Sequence, residues 1–525
     1  MEQQRRRLPL GIQSFEMLRN EGYVYVDKTD LVWKIANGGM FNYLSRPRRF
    51  GKSILVDTLR CYFEGRKDLF EGLKIMELEK DWVKYPVIRL DMSEGGATAD
   101  EVNSYFNRKF REYESQYSIT PIPGDSLTGR FVTLLRTACE TTGRPVAVLI
   151  DEYDSPLQHS WHTPEHEACT AIYRSVFACL KSCTQYEKFV FITGITKFTQ
   201  ISLFSVLNNL NNISFFPAEY APVCGITVQE TIDNFQPEIE YLAQKNGLTF
   251  DGAVDLLKSN YDGYHFSEDN MVDIFNPFSL INSLSQGKFG NYWVSSGATK
   301  MLPKFVDDME LKLRDFDNCY VDKDILESSD VTGGGAELFL YQSGYLTIKD
   351  SDESGYILGF PNYEVRKALY RVVIPALTMS SQSIVVSAQA KLLRYMNNCM
   401  LPEAMQVLKA LVSDVPYSNK KLASMDMEER YRLIISSLFH AVGFRVEVER
   451  MMAVGRIDIV ARTSRYIYVV ELKLAKNGGL KAAAQQIKDH GYAEPFKGDG
   501  KEVIPLAIEL DDMGKGLLDW ARVDA

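Results

Sequence analysis

The sequence predicts an α/β protein: a parallel sheet covered by helices, then a helical middle region, then a smaller α/β domain. Three observations predict it. Strand-like and helix-like segments alternate between Phe41 and Thr193, the mark of a parallel sheet covered on both faces. From about Thr227 the pattern turns helical and more aromatic. Beyond Val415 it changes again, to a helix, three strands, a helix and a strand.

A chain of 525 residues is too long for one core. At about 100–200 residues per domain, two to four domains are expected. The composition shifts put them at 1–225, 226–414 and 415–525. Hydrophobic residues at 45% and charged residues at 24% suit a soluble globular protein. A formal net charge of −10 argues against a generally basic nucleic-acid coat protein, though not against a local basic groove. The eight cysteines include no CxxC pair, which points to free thiols in a reducing compartment. No apolar run follows Arg5-Arg6-Arg7, and no stretch reaches the roughly 20 apolar residues of a membrane span. The expectation is a soluble, cytoplasmic protein with no membrane partner.

In chain order, Phe41–Ser45 reads as a strand and Lys52–Phe63 as a helix. Pro86–Met92 is a strand; Glu101–Ser115 and Gly129–Thr141 are helical. Pro145–Asp151 is a buried strand, followed by a helix over Glu165–Cys183 and the apolar strand Phe189–Thr193. Ala336–Gln342, Tyr345–Ile348, a turn at Ser351–Gly355 and Tyr356–Gly359 give helix, strand, turn, strand, so a winged-helix-like segment is expected at about 336–370. Ser413–Asp426 is the expected flexible joint. Glu428–Val442 reads as an amphipathic helix; Phe444–Glu449, Arg456–Arg462 and Tyr466–Leu474 as strands; Ala482–Tyr492 as a helix; and Val503–Ile508 as a last strand.

The strand Phe41–Ser45 leads into Arg46-Pro47-Arg48-Arg49-Phe50-Gly51-Lys52-Ser53, where a helix opens. Backbone N–H groups in such a turn, added to a helix N-terminus, cradle an anion. Lys52 would reach the β- and γ-phosphates of ATP, and the Ser53 hydroxyl would ligate Mg²⁺. The P-loop pattern GxxxxGK[ST] is broken at its start, where Arg46 stands. A tight turn followed by an exposed lysine is the competing reading. Context favours the loop: Val146–Ile150 ends in Asp151-Glu152, two carboxylates delivered by a buried strand. Asp151 would hold the metal through water, and Glu152 would orient and deprotonate the attacking water. Thr193, ending the next strand, would sense the γ-phosphate or be merely structural.

The C-terminal part carries a second pattern. Asp458 lies in the strand Arg456–Arg462, and Glu471-Leu472-Lys473 ends the strand Tyr466–Leu474. Alternation puts Glu471 and Lys473 on one face. Asp458 and Glu471 would bind a divalent cation, with the Leu472 carbonyl as a third ligand. Lys473 would hold or activate a water, or stabilise charge developing on phosphate. The competing reading is a solvated sheet face with a weak surface pair; the apolar run Tyr466–Val470 counts against it.

Several segments resemble the AAA-ATPase-like family found widely in gut anaerobes. They are Tyr25–Thr29, Tyr43–Ser53, Leu149–Pro156, Thr193–Phe198, Tyr261–Phe266 and Tyr292–Gly297. That family typically carries a C-terminal nuclease domain of the PD-(D/E)XK superfamily, with a restriction-endonuclease-like fold. The resemblance implies that Arg46 is the family's own variant of the loop, and that Tyr25–Lys28 lies near the nucleotide. Asp458, Glu471 and Lys473 fall on the D…ExK positions. Gln486 and Tyr492 resemble the QI…GYA segment, which implies that Gln486 touches a metal-bound water or a phosphate. Glu429 is the implied acidic residue of the first nuclease helix.

His159, His162, His166 and Cys169 lie close together, but their spacing is not a familiar zinc pattern. Arg48 and Arg49 would contact phosphate or a neighbouring subunit, or be a solvated basic loop. The leading expectation is an ATPase that controls a metal-dependent nuclease acting on DNA or RNA, using ATP and Mg²⁺, with Mn²⁺ as an alternative at the nuclease site. A homo-oligomer is within that expectation, with no residue marked as a trans arginine. The competing functions are an ATP-dependent switch or scaffold that binds without cutting, and an ATP-driven assembly protein whose winged-helix-like segment reads duplex DNA.

Overall fold

The computed structural model describes residues 6–196, 210–215, 217–295, 316, 318–328, 335–378, 382–413, 426–452 and 455–524. Strand β1 (Phe41–Ser45) is followed by β2 (Val87–Asp91), β3 (Val146–Asp151), β4 (Glu187–Gly194) and β5 (Asn211–Asn212). They form one parallel sheet in the order β2-β3-β4-β1-β5. β3 is apolar through Ile150 and buried at every position because strands flank it and helices cover it. From β1 the chain crosses to the edge at β2, then returns strand by strand until β4 lies beside β1. The C-terminal ends of β1 and β3 therefore flank that of β4, where open α/β sheets bind ligands. Of the helices here, Ala99–Gln116 opens with a Thr98/Glu101 capping box. The expected helix over Glu165–Cys183 is two, His166–Phe177 and Cys179–Ser182.

Next, β6 (Ile226–Thr227) pairs with β7 (Ile274–Phe275). Between them, helices Val228–Asn246 and Phe250–Tyr261 pack through Phe235, Ile239, Leu257 and Tyr261. Strands β8 (Cys319–Asp322), β9 (Thr347–Ser351) and β10 (Gly355–Gly359) form an antiparallel sheet of order β8-β10-β9. With helix Gly335–Gln342 they supply the expected helix, strand, turn and strand. The chain divides into two units, Met1–Tyr292 with Asp317–Asn362, and Trp293–Phe316 with Tyr363–Ala525. The stretch 226–414 thus contributes to both. The expected joint Ser413–Asp426 falls across 414–425, outside the described residues.

The C-terminal sheet runs β11 (Arg445–Met452), β12 (Gly455–Arg462), β13 (Tyr466–Leu474), β14 (Glu502–Leu510) and β15 (Leu517–Arg522), in that spatial order. The first three form an antiparallel meander, and β14 lies parallel to β13 after the crossover helix Gly479–Asp489. β15 is an extra strand, antiparallel to β14 at the edge. Helix Met427–Val442 starts at its Asp426 cap and stops at Gly443, whose φ of +100° suits glycine. It was expected to be amphipathic, yet Arg430 to Val442 are all buried, because helices Tyr363–Thr378 and Gln382–Asn397 also pack on it. Among the described residues no helix is long and apolar enough to cross a membrane, and all eight cysteines are free.

Candidate active sites

The turn after β1 is built to leave N–H groups available. Arg49 (φ +70°) and Gly51 (φ +93°) take left-handed conformations, and such turns present successive N–H groups on a concave side. Helix Lys52–Phe63 follows with no side-chain cap, whereas Ser or Thr caps open the helices at Ala99, Leu127, Val228 and Phe250. Its first-turn donors are therefore not taken by a cap. Lys52 is buried and donates to the carbonyls of Arg46 (2.9 Å) and Pro47 (3.1 Å). Burial lowers its ammonium pKa, and Glu152, Asp151 and Asp154 pull it back up.

Asp151 is fully buried, its Oδ1 accepting the Glu152 N–H at 3.0 Å. Its Oδ2 accepts no hydrogen bond, with Arg89 4.0 Å away. Burial, with Asp91 and Glu152 nearby, raises its carboxyl to about 6 against the lowering effect of the Ser53 hydroxyl. Glu152 is held at φ +46°, a strained conformation for a non-glycine residue. The fold thus gathers Lys52, Ser53, Asp151 and Glu152 at one crevice, and an orphaned buried carboxylate oxygen fits a hydrated divalent cation.

Three side chains of the predicted site have structural partners. The Arg46 guanidinium is buried and donates to the carbonyls of Ser45, Ser214, Tyr220 and Ala221, over the Phe266 ring at 4.2 Å. It braces the loop and has no side-chain donor but Nε left for a phosphate. The Phe50 ring is likewise buried, edge-on to Tyr264 (4.7 Å) and Phe266 (5.3 Å), so only its backbone faces loop chemistry. The Thr193 hydroxyl donates to the Leu44 carbonyl at 2.8 Å inside the sheet, a structural bond. Pro47 lies against Gly344, Arg48 donates to Gln158 (3.2 Å), and Arg49 stacks over Phe278 at 5.0 Å. Asp154 escaped sequence reasoning. One of its oxygens accepts from Ile195 N–H, Thr196 N–H, Thr196 Oγ1 and Gln158 Nε2, tying the turn after β3 to the end of β4. Lys28 of the Tyr25–Lys28 segment is paired with Glu230 at 2.6 Å.

In the C-terminal sheet, Asp458 and Glu471 are both buried. Asp458 accepts the Leu472 N–H at 2.9 Å, which fixes β12 against the end of β13. Lys473 donates to Glu471 Oε1 at 2.9 Å, while Glu471 Oε2 has no partner. Burial and the Asp458 charge raise the Glu471 carboxyl to about 7 against the lowering effect of Lys473. Burial opposes the Lys473 charge, but Glu471, Asp458 and Glu428 hold it above its ordinary value. The buried orphan oxygen beside a second carboxylate fits a divalent cation here too. Among the described residues no group of three or more His, Cys, Asp and Glu is placed to hold a metal, so backbone or water must complete such a site; the His159–Cys169 cluster offers none either.

Arg432 was not anticipated. It is buried between Asp458 (3.1 Å) and Glu449 (2.7 Å). Glu449, on β11 at φ +52°, falls between the Val448–Ile459 and Arg450–Ile457 pairs, a local break in the ladder beside Asp458. The signal was the i,i+4 spacing of Glu428 and Arg432, which puts both on one helix face. Glu428, the neighbour of Glu429, lies 4.0 Å from Lys473. The Gln486 amide donates to the Tyr492 hydroxyl (3.1 Å), which donates to the Arg456 carbonyl (2.9 Å). That chain tethers the crossover helix to β12.

A model of the predicted AAA-ATPase family matches residues 9–204, and one of the PD-(D/E)XK nuclease superfamily matches residues 426–520. The chain is 30% identical over 524 residues to the "uncharacterized protein in vnfD 5'region" of Azotobacter chroococcum mcd 1, covering 96% of each. It belongs to the family of that relative, and in this chain the predicted AAA-ATPase match precedes the PD-(D/E)XK nuclease superfamily match. Among solved structures, Cdc6p of Pyrobaculum aerophilum overlaps it loosely, at 12% identity over 67% of this chain and 97% of that one, with a TM-score of 0.22. The ORC2 protein of Aeropyrum pernix does so at 9% identity over 72% and 98%, with a TM-score of 0.29.

Proposed function

We propose that this protein hydrolyses ATP at the Lys52–Asp151 crevice and cleaves nucleic-acid phosphodiesters at Asp458, Glu471 and Lys473. One observation carries the reading. Each unit holds a buried carboxylate with one oxygen engaged and one unpartnered, beside a lysine within its electrostatic reach. The module boundaries go with it, near 225 and 415.

In the first site, Lys52 leaves the Arg46 and Pro47 carbonyls for the terminal phosphates, and the uncapped N–H groups cradle them. Ser53 and Asp151 hold the cation, and Glu152 takes the proton of the attacking water. In the second, Asp458 and Glu471 hold a divalent cation. Lys473 orients the water or meets the charge developing on phosphate. In both sites a bound Mg²⁺ supplies charge neutralisation and a more acidic water.

The test is incubation with Mg²⁺ or Mn²⁺ and labelled single- and double-stranded DNA and RNA, with and without ATP, beside Glu471→Ala. Cleavage by the wild type alone supports the nuclease, and its ATP dependence measures coupling. No cleavage of any substrate, with ATP turnover intact, overturns it in favour of a nucleotide-dependent switch.

A further inference from the structure

The chain is acidic overall, at −10, yet the C-terminal unit gathers cations along one line. Tyr363, Lys367 and Arg371 are spaced i, i+4, i+8 and so share one face of helix Tyr363–Thr378. Each meets the segment that enters β11. Arg371 Nε donates to the Ala441 carbonyl at 3.3 Å. The Lys367 ammonium lies against Gly443, where a Cβ would stand 2.7 Å from Nζ. The Tyr363 ring lies 5.5 Å from the Arg445 guanidinium. Arg445 in turn is paired in register with Arg462 at the end of β12, and Lys501 donates to the carbonyl of Thr463, the next residue, at 2.6 Å.

Arg462 has carboxylate partners in Glu447 and Asp499. Among the described residues, Lys367, Arg371, Arg445 and Lys501 form no ion pair. Cations packed together repel one another, and the nearby acids, Glu364 beside Lys367 and Asp499 beside Lys501, offset only part of that. Burial and the adjacent Arg371 push Lys367 down to about 8, and burial with Arg445 and Arg462 lowers Lys501. Such a row is stabilised by an arriving polyanion, which supplies the missing charge. The aromatic ring of Tyr363 within it adds a surface on which a base can stack. Asp458 lies on the same strand as Arg462, four residues away, or about 13 Å at the rise of a β-strand.

We infer that the row Arg371–Lys367–Arg445–Lys501 is a contact surface for the sugar-phosphate backbone of a nucleic acid, crossing the sheet at the end of β12, about 13 Å along that strand from Asp458. The inference rests on the nuclease reading for its ligand class, but binding can be measured without cleavage. Fluorescence anisotropy in EDTA, with short labelled single-stranded and duplex oligonucleotides, reads affinity against salt. Expected is a loss of about tenfold or more for Arg445→Glu/Lys501→Glu, and a slope of log affinity on log salt shallower by about 2. The milder Arg445→Gln/Lys501→Gln and Lys367→Gln/Arg371→Gln pairs should shift in the same direction with an unchanged melting temperature. The strand form held more tightly identifies which backbone the surface takes.

Wild-type affinity and slope in all three pairs would overturn the contact surface, whatever the nuclease does. Competition by polyglutamate as strong as by DNA would overturn it too, assigning the row to acidic proteins. Salt-dependent binding lost in the pairs, without cleavage by any form, would support the contact surface and sink the nuclease.

Discussion

At the phosphate loop, Lys52 donates to two neutral carbonyls of its own turn, whereas in the C-terminal sheet Lys473 donates to the carboxylate beside it. The flanking acids differ in the same sense. Asp151 has Arg89 at the edge of ion-pair distance, 4.0 Å, while Asp458 is held by Arg432 at 3.1 Å. On the proposed reading, an incoming phosphate would outbid the carbonyl partners of Lys52, since charge-assisted bonds are stronger than neutral ones. The second already has its positive charge in place, and its free Glu471 oxygen awaits a cation. Similar residue types thus leave the lysine on neutral carbonyls in one site and on a carboxylate in the other, with an unpartnered buried carboxylate oxygen in both.

The largest effects test whether the sites are separate. Lys52→Ala should lower ATP turnover by about 100-fold or more, with ATP-independent cleavage unchanged. Glu471→Ala should do the reverse in paired ATPase and cleavage assays. Equal loss of both activities in either variant breaks the comparison.

Next comes pH. A carboxyl raised in the folded protein holds its proton until its own pKa, and a metal must displace that proton below it. Ca²⁺ affinity at the C-terminal site, measured calorimetrically in Asp151→Asn, should rise about tenfold per pH unit up to about 7 and level off above. In Glu471→Gln, the cation dependence of ATP binding should bend at about 6. The same proton makes Glu471 favour the fold below about pH 7, a contribution lost as pH rises from the ordinary carboxylate range through that value. Coincident bends would erase the distinction. Arg432→Met should raise Ca²⁺ affinity about fivefold by removing the charge that competes for Asp458; unchanged or weaker binding would show that Arg432 only orients the acid. Smallest is Thr193→Val, with ATP turnover within about twofold of wild type and a stability loss near 1 kcal/mol in a denaturant titration. A large loss of turnover there would restore Thr193 as a phosphate contact.

The strands that carry the candidate chemistry were legible because their signals are local. The apolar run of β3 and the alternation of β13 specify burial and facing without knowledge of their neighbours. What escaped depends on distant partners. Arg46 looks like a phosphate-loop cation until Ser214, Tyr220 and Ala221 supply carbonyls for it. Arg432 looks like a surface helix charge until Asp458 and Glu449 close on it from two strands. Edge strand β15 has only a broken pattern of burial, too weak to declare itself.

Gly344 has φ +86°, and a Cβ there would stand 2.6 Å from Pro47 Cβ. A missense change at that codon, in a segment to which no chemistry is assigned, would press directly on the loop proposed to receive ATP. In a screen for loss of nucleotide turnover it would score among the active-site alleles. Genetics alone would then draw the catalytic centre larger than its chemistry.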